Sequence, residues 1–242
     1  MHFTLKILTL IFFALGVNLS SFAEVIGQNE LNFVIDTKSM GDKVYFSFAQ
    51  LKVPTLLKNY PELAKLDSLN MLKKKDAYIV VSKVAYIVKK PIGFFDHDNL
   101  SKEVYVQKTL DSQTVRKLSN DTFKVSSKSG PSYQLKTFFD SDEVSTLPNS
   151  KVIEAVSAFK KLDVISQSAS AIQVREMDQF SGYAWGAVTV SSFIPFKEDK
   201  TLVISYYLTS VKKEFADKKG ARASLKAEVA SLQKIIENYQ AP

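Results

Sequence analysis

The chain has 242 residues and no cysteine, which excludes disulfides, cysteine nucleophiles and thiolate metal sites. Its formal net charge is +7, yet arginine stands only at Arg116, Arg175 and Arg222. Arginine is the side chain that reads bases and clamps phosphates with two hydrogen bonds. The scattered lysines therefore indicate a solvated surface with no nucleic-acid partner, and attraction to an anionic envelope component stays open.

Residues 1–23 have the pattern of a cleavable secretory signal peptide. A short basic region with Lys6 precedes an apolar run from Ile7 to Val17, and small residues occupy Ser21 and Ala23 before the expected cleavage site. A transmembrane helix needs roughly 20 apolar residues, so this run is short for one, although an uncleaved anchor stays an alternative. We expect a periplasmic or secreted protein with no transmembrane segment after cleavage, and a bacterial envelope suits this composition best.

Residues 24–242 are predicted to form one α+β domain, with an N-terminal subdomain at 24–120 and a C-terminal unit at 121–242 as an alternative. Alternation of apolar and polar residues predicts a strand at 44–48. Residues 54–75 then have helical spacing, in which Pro61 begins a helix. The run Asp76–Lys89 is rich in β-branched and aromatic residues throughout, which predicts a long strand covered on both faces.

The middle of the chain contains one segment with two alternative predictions. Residues 102–109 are consistent with a strand through Val104 and Val106, but a helix through Leu110, Val115 and Leu118 fits equally well. Beyond it, 122–127 and 133–139 predict a hairpin around Gly130 and Pro131. Residues 148–162 return to helical spacing, with Val152, Val156 and Phe159 on one stripe.

The last part of the chain predicts three strands and a helix. The strand-like runs cover 171–178, 183–196 and 201–215, and their short connections indicate antiparallel neighbours. Residues 221–239 then form an amphipathic pattern, whose apolar stripe consists of Leu225, Val229, Leu232 and Ile236. We therefore predict a curved antiparallel sheet packed by helices, with a long C-terminal helix laid across it. That element order is compatible with the topology called helix-grip.

No catalytic or metal motif stands out in the mature chain. Its one histidine, His97, lies between Asp96 and Asp98, and a zinc site needs three or four ligands; we expect an exposed loop histidine. The acidic cluster at 140–143 lacks the spacing of a calcium loop and predicts a solvated turn. No glycine-rich phosphate loop occurs, so no cofactor is predicted. A hydrolase built on paired carboxylates is the catalytic alternative.

Aromatic residues in the strands carry the functional hypothesis. Trp185 and Phe193 are separated by an even number of residues, so in a regular strand they share a face, and Tyr206 lies in the next strand. We predict that these three residues line an apolar cavity beside the C-terminal helix. The expected function is non-catalytic binding of an apolar small molecule or lipid. The alternatives are ordinary core packing and an envelope interaction protein that uses an exposed strand edge or the lysine surface.

Overall fold

The computed structural model describes residues 25–28, 44–52, 57–58, 61–65, 77–100, 106, 113–127, 132–147, 152–154, 156–157, 165–179, 181 and 184–212. Within them nine strands form one curved sheet in the order β1-β2-β3-β9-β8-β7-β6-β5-β4. The strands are β1 Val25–Gln28, β2 Val44–Lys52, β3 Ala77–Val88, β4 Gln113–Ser119, β5 Thr122–Ser127, β6 Tyr133–Ser141, β7 Ala171–Asp178, β8 Ala184–Lys197 and β9 Lys200–Lys212. The pairing of β1 with β2 is parallel, and the other pairings are antiparallel.

Most predicted strands are confirmed. The hairpin of β5 and β6 and the meander of β7, β8 and β9 pair as expected. β3 is long and is buried from Val81 to Val88, as its β-branched and aromatic composition predicts, and the buried stretch includes the polar Ser82 and Lys83. Because β3 pairs with β9, the sheet joins an early strand to the last described one.

The segment between β3 and β5 differs from both of its predictions. A short helix, α1, covers His97–Leu100, and Val106 is also helical. The helix predicted through Val115 and Leu118 is wrong, because both residues lie in β4. Val115 packs inward with Phe123, whereas Leu118 is 51% exposed. The pairing of β4 with β5 shifts at Leu118, so β4 lacks the regular alternation that would have indicated a strand.

The predicted helices are described only in part. Residues 57–58 are helical, a 3₁₀ turn covers Pro61–Lys65, and helical residues lie at 152–154 and 156–157. Val152 and Val156 are buried, as the predicted stripe requires. Lys65 donates a hydrogen bond to Glu154, which ties these two segments together. The predicted C-terminal helix at 221–239 lies outside the described residues and stays a prediction.

The two faces of the sheet follow from the register, because directly paired residues share a face and neighbours along a strand alternate. Tyr206 pairs with Val190 and Lys83 on one side of the sheet, which we call the Tyr206 face. Phe193 pairs with Val203 and Ala171 on the other, the Phe193 face.

Each face is covered by its own segments. Leu63, Val152 and Val156 pack against the Tyr206 face, in one cluster with Ile204 and Leu208. Residues 92–100 pack against the Phe193 face, chiefly through Phe95 and Leu100. No helix among the described residues is long and apolar enough to span a membrane.

Candidate functional site

The three aromatic residues predicted to bind a ligand do not share one surface. Phe193 and Tyr206 are both buried, at 3% and 2% exposure, but they lie on opposite faces of the sheet. Trp185 occupies a β-bulge, since the pairing with β9 shifts between Ala184 and Gly186. A bulge interrupts the alternation of side chains, so the even separation of Trp185 and Phe193 does not place them on one face. The side chain of Trp185 is not among those that the structure describes.

Phe193 lies in an aromatic cluster at one end of its face. Its ring stacks on Phe95 with centroids 4.6 Å apart and an angle of 22° between the planes. Phe94 meets Phe95 edge-on at 5.3 Å. Asn99 holds this segment in shape, because its side-chain amide donates to the carbonyl oxygen of Phe94 at 3.1 Å. Phe139, Tyr86 and Val203 belong to the same cluster.

A second apolar cluster lies at the other end of the same face. Leu135 pairs with Phe123 on one side and with Met177 on the other, and all three side chains pack together with Val125. Met177 pairs in turn with Ala187 of β8, which places this cluster on the Phe193 face. Two apolar regions therefore occupy the two ends of one surface.

Between these clusters the Phe193 face is polar. We call this region the polar band and define it by eight residues in two adjacent rows: Thr137, Arg175, Thr189, Tyr207 and Ser82 in the first, and Gln173, Ser191 and Ser205 in the second. Each member is paired with the next across the sheet, so the rows run at right angles to the strands. The first row crosses β6, β7, β8, β9 and β3.

The polar band is largely buried. Thr137, Gln173, Thr189, Ser205 and Ser82 are each no more than 7% exposed, and Arg175 is half-buried. One hydrogen bond links two band members within the second row, and another joins the two rows. The hydroxyls of Ser191 and Ser205 lie 2.8 Å apart, and the Gln173 amide donates to the Thr137 hydroxyl at 3.4 Å. The Ser82 hydroxyl is buried and has no hydrogen-bond partner among the described residues.

The polar band was not predicted from the sequence. Its members are mostly serine and threonine, which are common on solvated strand faces. Each of them, considered alone, therefore predicts an exposed position. The alternation of residues along each strand could have indicated the band, because Thr189, Ser191 and Phe193 share one face of β8. In the same way, Ser205 and Tyr207 share one face of β9. Only the register brings these hydroxyls together with Arg175.

His97 is more enclosed than its sequence context predicts. It lies in α1, with its side chain 26% exposed, rather than in an open loop. Its Nε2 atom is 3.6 Å from Asp121 Oδ1, at the turn between β4 and β5, and its Nδ1 atom is 3.5 Å from Asp98 Oδ1. No group of three histidine or acidic side chains suited to a metal ion occurs among the residues that the structure describes.

The acidic residues of β6, β7 and the turn after β6 lie in two places. Asp142 and Glu143 are exposed in the turn after β6, where the Ser141 hydroxyl accepts from the backbone N–H of Glu143 at 3.3 Å. Glu176 and Asp178 share the Tyr206 face of β7, and Lys136 donates to Asp178 at 3.0 Å. This contact is an ion pair between neighbouring strands.

Comparisons with known proteins identify no family. No family model and no curated protein matches the chain. Among solved structures, a START superfamily protein from Mycobacterium smegmatis is 12% identical, with a TM-score of 0.45, over 65% of this chain and 97% of its own. A truncated norcoclaurine synthase from Thalictrum flavum is 11% identical, with a TM-score of 0.44, over 69% and 99%. Ara h 8.0201 is 8% identical, with a TM-score of 0.41, over 66% and 97%.

Proposed function

We propose that this protein binds an apolar or lipid-like small molecule against the Phe193 face, without catalysis. One observation carries the proposal: a row of buried polar groups crosses a sheet face that is apolar at both ends. Ligand sites combine apolar walls with a few placed polar groups that orient the ligand. The band also contains the buried Ser82 hydroxyl, which has no hydrogen-bond partner among the described residues, and burying an unpaired hydroxyl costs free energy that a ligand could recover.

The Phe193 face supports this function better than the Tyr206 face does. The Tyr206 face also buries polar side chains, among them Lys83, Ser192 and Ser210. Most of it, however, is a cluster of Val, Ile and Leu side chains that Leu63, Val152 and Val156 pack against. Such dense packing is typical of a structural core. Of the three aromatic residues first considered, the proposal therefore retains Phe193 as a lining residue, leaves Trp185 as a candidate and assigns Tyr206 to the core.

The binding proposal is tested with a neutral fluorescent probe, N-phenyl-1-naphthylamine, added to protein purified in its secreted form. We expect saturable binding, competition by a lipid extract, and co-purified small molecules in native mass spectrometry. Ser191→Phe adds a ring at the middle of the face, where it occupies space that the probe would otherwise fill. Probe binding should weaken about 10-fold or more, because the displaced probe loses apolar contact with the protein worth more than 1.4 kcal/mol.

The matched control is Thr114→Phe, which adds the same ring at an exposed position of the edge strand β4. It should leave probe binding unchanged. A folded parent protein that binds neither the probe nor any lipid would refute the function.

We further propose that the mature protein is exported to the bacterial envelope, on the basis of the signal-peptide pattern at 1–23. Expression of the full chain should yield a processed protein in the periplasmic or secreted fraction, with Glu24 as its first residue. N-terminal sequencing measures this directly. A full-length product retained in the cytoplasm would contradict export without affecting the binding proposal.

A further inference from the structure

We infer that the bound molecule carries a carboxylate, and that Arg175 is the residue that recognises it. This inference rests on the proposed function and names the chemical class of its ligand: a single-chain amphiphile with one acidic head group. The observation behind it is the position of Arg175 within the polar band, between two apolar clusters.

Of the eight residues of the polar band, Arg175 is the one with a charged side chain. It lies in the first row and pairs directly with Thr137 of β6 and with Thr189 of β8. Paired residues have Cβ atoms about 4.5 to 5.5 Å apart, so two threonines flank the base of the Arg175 side chain. Its Nε atom is buried. A carboxylate accepts two parallel hydrogen bonds from a guanidinium, which makes arginine the side chain best suited to hold it.

The neighbours of Arg175 along β7 explain why the ligand would be amphipathic. Gln173 extends the polar band on one side, and Met177 belongs to the apolar cluster of Leu135 and Phe123 on the other. A hydrocarbon chain leaving a carboxylate at Arg175 therefore meets apolar side chains within one step along the strand. A doubly charged or sugar-like head group would instead place polar atoms against Met177 or against the aromatic cluster, where they lack partners.

The alternative role for Arg175 is purely structural, as a tie between the sheet and a neighbouring part of the chain. The two roles differ in one measurable respect. A structural tie gives no preference between ligands that have the same chain and different head groups. A recognition residue gives a preference for the anionic head group, and that preference disappears when the guanidinium is removed.

The test is isothermal titration calorimetry with dodecanoate and dodecanol at neutral pH. The parent protein should bind dodecanoate about 10-fold or more tightly than dodecanol, as one charge-assisted bond predicts. Arg175→Met should reduce dodecanoate affinity to the level of dodecanol and leave dodecanol binding within about 3-fold of the parent. Arg175→Lys keeps the positive charge but loses the planar guanidinium that makes two parallel hydrogen bonds. It should therefore retain part of the preference for dodecanoate.

The control variant is Arg116→Met, which removes an exposed guanidinium from β4 and should change neither affinity. Equal affinity of the parent for the acid and the alcohol overturns the inference and leaves the proposed function standing. An Arg175→Met variant that keeps the acid preference also overturns it. If the parent binds neither compound nor the neutral probe, both proposals fail. If Arg175→Met does not fold, the parent comparison and Arg175→Lys still decide the question.

Discussion

Phe193 shows which properties of a single residue the sequence predicts and which it does not. Its apolar character and its strand predicted burial, and it is buried. Its partner Phe95 could not be predicted, because it lies almost one hundred positions earlier in a segment without clear periodicity. The opposite orientation of Tyr206 could be predicted only with the pairing register, since a shift of one residue exchanges the faces of a strand.

Replacing Phe193 by alanine should destabilise the protein strongly. The ring is buried and stacked on Phe95, so the substitution removes apolar burial and leaves a cavity, at a cost of about 3 to 5 kcal/mol. Urea denaturation followed by circular dichroism measures the change. Leu118→Ala at the exposed edge of β4 is the control and should change the free energy of unfolding by about 0.5 kcal/mol or less. Equal changes in the free energy of unfolding for the two substitutions would show that the aromatic cluster contributes little to stability.

The hydroxyl contact between Ser191 and Ser205 should be energetically coupled. The two oxygens lie 2.8 Å apart on paired residues, so each single alanine variant leaves the other hydroxyl without that partner. We expect each single variant to cost about 1 kcal/mol, and the double variant to cost less than their sum by about 0.5 to 1.5 kcal/mol. A double-mutant cycle in urea measures the coupling. Additive costs would mean that no hydrogen bond joins the pair.

At the level of elements, the strands were more predictable than their connections. The runs that became β3, β7, β8 and β9 contain many β-branched and aromatic residues, which favour strands over helices. The bulge at Trp185 left only the weak signal of Gly182 and Gly186 beside it. β4 was misread because its exposed residues, including Leu118, carry no consistent alternation.

The predicted C-terminal helix gives a direct test at this scale. Leu232 lies in the middle of the apolar stripe at 221–239, so Leu232→Asp should lower the melting temperature by several degrees, because it places a charge in the expected interface. Lys234→Asp is the control, since residue 234 lies on the opposite side of a helix with 3.6 residues per turn. Thermal melts followed by circular dichroism compare the two. A Leu232→Asp melt within a degree or two of the parent would place the helix at the periphery.

For the whole molecule, the fold class was predictable and the site only in outline. Element order indicated an antiparallel sheet with helices, and the described residues confirm the sheet. The proposed apolar binding surface was predicted from the strand aromatics, and the proposal of the Phe193 face depends on which face each of them occupies. The polar band unites residues from five strands, and only the complete register brings Arg175 between Thr137 and Thr189.

The central claim is that the ligand lies on the Phe193 face, and isotope-filtered NMR tests it most directly. Protein with labelled methyl groups is titrated with unlabelled dodecanoate, and contacts shorter than about 5 Å are recorded as intermolecular nuclear Overhauser effects. Val203 and Leu135 lie on the Phe193 face, whereas Val190 and Ile204 lie on the Tyr206 face of the same sheet. We predict effects from the ligand to Val203 or Leu135 and none to Val190 or Ile204. Effects confined to Val190 and Ile204 would contradict the account.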